Sequence, residues 1–303
     1  MAFAAFGSSA PAAKGQTKSG KIVLALLLPG LMYLLLFFAI PLVSLIFTSL
    51  ETPAKSGAIG QYMPAFDISN YGYVLTSYWP QIARSFSYAF VATVIALLIS
   101  YPLAYFIGVK VRRWPMLQRM LVTLVIAPFF ISFLLRTIAW KQMLDDKSPV
   151  ISWLHQMQIL APSQHFIGSD AAVVFGLVYN FIPFMTLPLY TSLERLDVRY
   201  LEAGGDLYAT PARVFRQVTL PLSMPGVISG TLLTFIPIAG DYVNASRDFL
   251  GSAKTSMIGT MVDADFLQNQ NSPAASAMSV VLMGIILILV SWYVKKSGTE
   301  DLL

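Results

Sequence analysis

Apolar residues fall along this chain into six long blocks, residues 22–47, 85–109, 120–140, 171–193, 222–243 and 274–294, separated by polar stretches. At ~1.5 Å per helical residue, each block meets the roughly 20 residues needed to cross a hydrocarbon core of ~30 Å. The blocks are continuous: residues 281–290 read VLMGIILILV, without the apolar-polar alternation of a barrel strand. The pattern predicts an all-α integral membrane protein with six transmembrane helices.

The first block follows Lys14, Lys18 and Lys21 and so superficially resembles a secretory signal peptide. It is too long for one, and no small-x-small cleavage pattern closes it before Glu51, which predicts a retained, tilted helix. Residues 1–20 lack apolar periodicity and are expected to form a disordered cytoplasmic tail, with 21–296 as the membrane domain and 297–303 as a C-terminal cytoplasmic tail. Orientation follows from Lys and Arg, which are retained on the cytoplasmic side. Lys14, Lys18, Lys21, Lys110, Arg112, Arg113, Arg119, Arg195, Arg199, Arg213, Arg216, Lys295 and Lys296 fall on one side. Lys55, Arg84, Lys141, Lys147, Arg247 and Lys254 fall on the other, a two-to-one bias that puts both termini inside.

Two external connections carry apolar detail. The first, 51–84, has Tyr62, Phe66, Tyr71, Tyr73, Tyr78 and Trp79, suited to an interfacial belt or a docking surface. The third, 141–170, has Val150, Trp153, Leu154, Met157 and Leu160 at the spacing of a short amphipathic helix.

Composition agrees with the pattern and narrows the chemistry. Charged residues make up 12% of the 303, about half the usual share of roughly 25%, while hydrophobic residues make up 56% and the mean hydropathy is +0.67. The net charge of +5 is spread thinly, with no cationic face for nucleic acid. The chain has no cysteine, which removes disulfides and thiolate chemistry. Its two histidines, His155 and His165, sit in a polar stretch and read as loop residues rather than a metal pair. Gly251-Ser252-Ala253-Lys254-Thr255 lacks the spacing of a nucleotide-binding P-loop, so ATP-driven work requires a separate ATPase. No Ser-His-acid arrangement favours a membrane enzyme.

The fourth loop, 194–221, reads ERLDVRYLEAGGDLYATPARVFRQVTLP and predicts two short helices. Leu193, Leu196, Tyr200, Leu201, Leu207 and Tyr208 give the first its apolar positions, while Thr210 and Pro211 fit the N-cap and first position of the second. Val214, Phe215 and Val218 form a stripe along that second helix, and Pro221 disfavours helical geometry at Leu220. Such a displayed hairpin suits groove docking on a soluble partner.

Glu202-Ala203-Gly204, Asp206-Leu207-Tyr208-Ala209-Thr210-Pro211, Phe215 through Leu222 and Pro225-Gly226 together closely resemble the EAA loop of bacterial ABC importer permeases. In that family the loop forms a coupling helix seated in a cleft of the ATPase. The resemblance therefore implies that Arg199, Glu202, Ala203, Gly204, Gly205, Asp206, Leu207, Tyr208, Ala209, Thr210, Pro211 and Arg213 transmit nucleotide-driven motion. Two positions depart from the pattern: Gly204 replaces the second alanine and Tyr208 the usual glycine. A second block, Gly240-Asp241-Tyr242-Val243-Asn244-Ala245, then Leu250-Gly251-Ser252 and Met257-Ile258-Gly259, is similar to the stretch after the fifth helix of spermidine/putrescine permeases. Many members have Thr-Pro where this chain has Asn244-Ala245, and its insert Ser246 to Phe249 is unusual.

The resemblance implies a type I importer permease in the bacterial cytoplasmic (inner) membrane. Its implied partners are a second homologous permease, an ATPase dimer that holds ATP and Mg, and an extracytoplasmic substrate-binding protein; no cofactor is held by this chain. Ionisable groups in the bilayer cost about 2.5–3.5 kcal/mol each and so face a cavity or a partner. Asp241 is a candidate to guide a cationic substrate, and Arg136 either pairs with it or snorkels. Tyr179 and Tyr242 either line a cation path or pack, and Asp263 and Asp265 read as solvated loop charges. Pro128, Pro183, Pro188 and Pro237 mark candidate bends. A permease for another small solute, an ATP-independent carrier or channel, and a membrane enzyme are the rival readings.

Overall fold

The structure, a computed structural model, describes residues 19–54, 59–158, 161 and 165–296. The expected tails, including Lys14 and Lys18, together with Lys55 and Leu160, lie outside the described residues. Ser19 and Gly20, expected in the tail, already belong to a helix.

The chain divides into two units, one ending at Phe47 and one beginning at Thr48. In the first, α1 (Ser19–Leu34) passes through a π-helical segment, Leu35–Ala39, into α2 (Ile40–Thr48). The π turn has a local cause. Pro41 has no N–H to donate, and its ring would strike the carbonyl of Phe37 in a regular helix; the widened turn, closed by Ile40 N–H to Leu35 O, opens that space.

The second unit opens with a two-stranded antiparallel pair, β1 (Thr52–Pro53) against β2 (Tyr62–Met63). Then follow α3 (Ser69–Ser77), α4 (Trp79–Tyr105), α5 (Pro115–Ile126), α6 (Phe133–Met143), α7 (Pro149–Gln156) and α8 (Asp170–Glu194). After these come α9 (Val198–Asp206), α10 (Pro211–Val214), α11 (Leu220–Leu222), α12 (Met224–Ala239), α13 (Ile258–Leu267) and α14 (Ser272–Lys296).

Four of the expected spans are unbroken helices, Leu26–Thr48, Trp79–Lys110, Asp170–Glu194 and Ser272–Lys296. The other two are not the continuous helices expected. The third is Pro115–Phe130 followed by Phe133–Met143 at 93°, and the fifth is Pro211–Leu222 followed by Met224–Ala239 at 64°. In the third, Pro128 lies in a 3-10 turn, Ala127–Phe130, after which Ile131 is fully extended. In the fifth, the bend falls at Ser223, and α12 ends at Ala239, so Asp241 and Val243 lie beyond the helix. Pro183 and Pro188 sit within the continuous α8, and Pro237 in the last turn of α12, so among the four marked prolines only Pro128 coincides with a break.

The core is built by α4, α8 and α12. Along α4 the residues Ala89, Ala92, Ala96 and Ala104 are fully buried, at spacings of three, four and eight that line one helical face. Small side chains there let the backbones approach, the usual solution where the surrounding solvent is lipid. Gly226 and Gly230 of α12 do the same on α8: a Cβ at these positions would lie 2.8 Å from Pro188 O and 3.1 Å from Met185 O. A second cluster, Val74, Ile82, Ile258, Ala277 and Met278, joins α3, α13 and α14 to the start of α4. The expected amphipathic helix is α7, capped by Ser148 Oγ accepting from Ile151 N–H, with Ile151 buried and Trp153 exposed.

Candidate functional site

The expected hairpin is present, and its geometry accounts for one departure from the EAA pattern and makes the other costly. Asp197 caps α9, its carboxylate accepting from Arg199 N–H at 3.0 Å. At the other end Tyr208 N–H donates to Gly205 O at 2.9 Å and Ala209 N–H to Gly204 O at 3.1 Å, a Schellman ending. That motif requires a left-handed residue at Tyr208, which has φ 55°. Glycine suits the position because it carries no Cβ, whereas tyrosine occupies it against a steric cost. Gly204 lies where the two helices of the hairpin meet: a Cβ there would be 2.9 Å from Val214 Cγ2. Gly205 faces open space.

Thr210 precedes the second helix with extended dihedrals and Pro211 opens it, as expected, although the Thr210 hydroxyl makes no capping bond. Pro221 does not end the helix. Leu220 is helical, φ −64° and ψ −48°, because a π segment, Phe215–Thr219, widens the turn just before the proline, the device also seen ahead of Pro41. The chain bends two residues later, at Ser223.

The tip of the hairpin presents apolar side chains to its surroundings: Leu207 is 81% and Tyr208 97% exposed, and Tyr200 at the start of α9 is 59% exposed. Arg199, Glu202, Ala203, Asp206, Pro211 and Arg213 are exposed beside them, while Ala209 is half-buried. Its base, by contrast, is tied to the bundle. Arg112 Nη1 donates to Leu196 O at 2.8 Å, and Leu196 is buried. Glu194 accepts from Tyr190 OH at 2.6 Å and from Gln118 Nε2 at 3.2 Å, joining α8 to α5. Gly108 lets the end of the second span touch α8, since a Cβ there would lie 3.3 Å from Glu194 N. At the far side Tyr101 of α4 hydrogen-bonds Ser223 at 2.7 Å, at the bend itself, and packs edge-on against Phe215 with ring centroids 5.4 Å apart. A cleft of about 510 Å3, lined by Arg195, Asp197, Tyr200 and Pro225, separates the hairpin from the start of α12. The hairpin is therefore apolar at its tip and bonded at its base to the turn after the second span, to α5 and to α4.

At the opposite end of the bundle, Asp241 is buried and used inside a turn. Its carboxylate accepts from Asn244 N–H at 2.8 Å and Asn244 Nδ2 at 3.1 Å. Asn244 Oδ1 accepts from Asn180 Nδ2 at 3.2 Å, which also donates to Thr137 Oγ1 at 3.2 Å. The turn is seated by glycines: a Cβ on Gly176 would lie 2.6 Å from Asn244 Oδ1, and one on Gly259 2.5 Å from Gly240 O. Arg136 is 7% exposed, with its Cζ 5.8 Å from the Phe133 ring centroid and no protein acceptor for Nε or Nη1. Among the described residues no ion pair joins it to Asp241 within 4.0 Å, so the pairing alternative is not realised in this conformation. Tyr179 packs edge-on against Trp140, centroids 5.0 Å apart, and Tyr242 is 51% exposed.

Nearby, Asp265 corrects an expectation. It is not a solvated loop charge but 4% exposed within α13, accepting from Tyr78 OH at 2.9 Å and Asn269 Nδ2 at 2.6 Å. Burial and that carboxylate push the Tyr78 phenol above its ordinary value. The Tyr62 hydroxyl donates to Gln270 O at 2.9 Å, so part of the aromatic group of the first connection pins β2 to the stretch before α14. His165 pairs with Asp146 on the same side.

Residues 100–295 match the family described as binding-protein-dependent transport system inner membrane component. The chain belongs to that family. Among its relatives, the spermidine/putrescine transport system permease protein PotB of Haemophilus influenzae is 37% identical over 227 residues, covering 75% of this chain and 78% of the relative. PotB of Escherichia coli is 32% identical over 264 residues, covering 86% and 93%. The fold matches a chain in the crystal structure of a bacterial ABC transporter involved in the import of the acidic polysaccharide alginate, with TM-score 0.67 at 15% identity, covering 92% of this chain and 96% of the other.

In this inner membrane component, little in the sequence marks the residues that hold the hairpin. Arg112 contributes to the charge count without any sign of its bond to Leu196. Gly108 and Tyr101 sit inside an apolar block with nothing local to mark them. Ser223, between Pro221 and Pro225, carried the one readable signal: a short polar residue flanked by prolines.

Proposed function

We propose that this chain is a membrane subunit of an ATP-driven polyamine importer, with both termini cytoplasmic and the 194–221 hairpin seated on a separate ATPase. The observation that carries the reading is the hairpin itself, apolar and almost fully exposed at Leu207 and Tyr208 yet fastened to three helices at its base. An apolar tip of this kind is suited to a groove on a soluble protein. Likeness to two PotB permeases over three quarters or more of the chain supports polyamine as the substrate class.

In this reading a second, related permease completes the pathway, and an extracytoplasmic binding protein delivers the solute. ATP binding and hydrolysis, at the ATPase, move the hairpin; α4 and the Ser223 bend carry that motion into the bundle. At the outer end the half-exposed Tyr242 offers a ring face to a cation, while Asp241, buried and bonded to Asn244, holds the turn that carries it.

The test uses Leu207→Asp with Tyr208→Asp, which leaves the packed base untouched. In cells dependent on this importer, labelled spermidine and putrescine uptake should fall by about tenfold or more while the chain remains in the membrane, and co-purification of the ATPase should be lost. Normal uptake with both acidic residues present would refute the docking role.

A further inference from the structure

Helices α4, α12 and α14 frame an apolar groove of about 280 Å3, walled by Phe90, Val94, Leu97, Leu232, Phe235 and Leu289. It is open along one side, where Phe90 is 64% and Trp292 61% exposed. The character changes at the end formed by the last turn of α14. There the Lys296 Nζ lies 5.1 Å from the centroid of Trp292, itself a groove residue, and Lys295 is exposed next to it. The Tyr293 and Thr231 hydroxyls, also in the groove lining, bond each other at 2.8 Å.

We propose that this groove binds one anionic phospholipid, with an acyl chain lying between α4, α12 and α14 and the phosphate at Lys296 and Lys295. Two features select this occupant. The groove is lined almost wholly by carbon and lies open at Phe90 and Trp292, so an acyl chain can lie in it without burying a polar group. The two ammonium groups at one end of a carbon-lined groove complement a molecule with a negative head and an apolar tail. The site is separate from both the hairpin and the outer vestibule and does not depend on which solute is carried.

The transporter complex is reconstituted in nanodiscs of equal phosphatidylglycerol and phosphatidylcholine, re-extracted in detergent, and its retained lipid quantified by mass spectrometry. Phosphatidylglycerol should be retained in preference, by about fivefold for each lysine engaged. K295Q with K296Q should bring the ratio near one, and L232W, which fills the groove, should remove the retained lipid. Should L232W fail to insert, the exposed lysine pair decides. Benzoylphenylalanine in place of Phe90 should, on illumination, add the mass of a phospholipid. Equal retention of the two lipids by the unaltered chain, a ratio unmoved by K295Q with K296Q, or a Phe90 photoproduct with a protein helix of this or a companion subunit would overturn the proposal.

Discussion

Tyr208 is the residue whose backbone and side chain pull in opposite directions. Its left-handed conformation is required by the Schellman ending of α9 and costs an L-residue about 1–2 kcal/mol. Tyr208→Gly should therefore stabilise the purified chain, without the ATPase, by about 1 kcal/mol, read as a higher midpoint of thermal unfolding; a lower midpoint would contradict the assignment. Glycines elsewhere divide by what a methyl group would meet. Gly205→Ala enters open space and should stabilise α9 by about 0.5–1 kcal/mol. Gly259→Ala would drive a Cβ to 2.5 Å from the backbone oxygen of Gly240, which cannot rotate aside, and should destabilise by about 1–3 kcal/mol in the same unfolding assay. Gly204 and Tyr208 depart from the resemblance alike, but the contact with Val214 accounts for Gly204, whereas the φ of Tyr208 shows why glycine is usual there.

At the scale of elements, what was legible followed local rules. The hairpin announced itself through amphipathic spacing and the Thr210-Pro211 start, and α7 through its apolar face. The two bends were not legible, because an apolar run reports transfer into lipid and not the direction of the axis. Pro128, Pro183 and Pro188 look alike in sequence. The latter two lie in α8, which is walled by α4 and α12 and stays continuous, while Pro128 lies in a peripheral span that breaks. Pro221 looked like a stop and is not one, since a π turn removes the clash that would have made it so. The fastening of the hairpin depends on bonds between distant segments, of which Arg112 to Leu196 O is the most accessible to test. Arg112→Gln should reduce uptake by roughly tenfold, the worth of one charge-assisted hydrogen bond, while ATP hydrolysis by the complex changes little. Equal loss of hydrolysis and uptake would place Arg112 outside the transmission path.

At the scale of the whole molecule, the second unit has a tightly packed middle of α4, α8 and α12 and two differently built ends. One end carries the exposed hairpin; the other holds a buried chain of side chains from Thr137 through Asn180 and Asn244 to Asp241. The hairpin base is bonded to the bundle at Leu196, held by Arg112, and at Ser223, held by Tyr101 of α4, and no nucleotide-binding loop exists in the sequence. The most direct measurement is polyamine uptake by proteoliposomes containing this chain and its companion membrane subunit, with binding protein outside and ATP inside, the ATPase subunits being included or left out. Uptake should occur only when the ATPase is present and should cease when its nucleotide is withheld. Sustained uptake without the ATPase, driven by an ion gradient or by none, would contradict the mechanical role given to the hairpin.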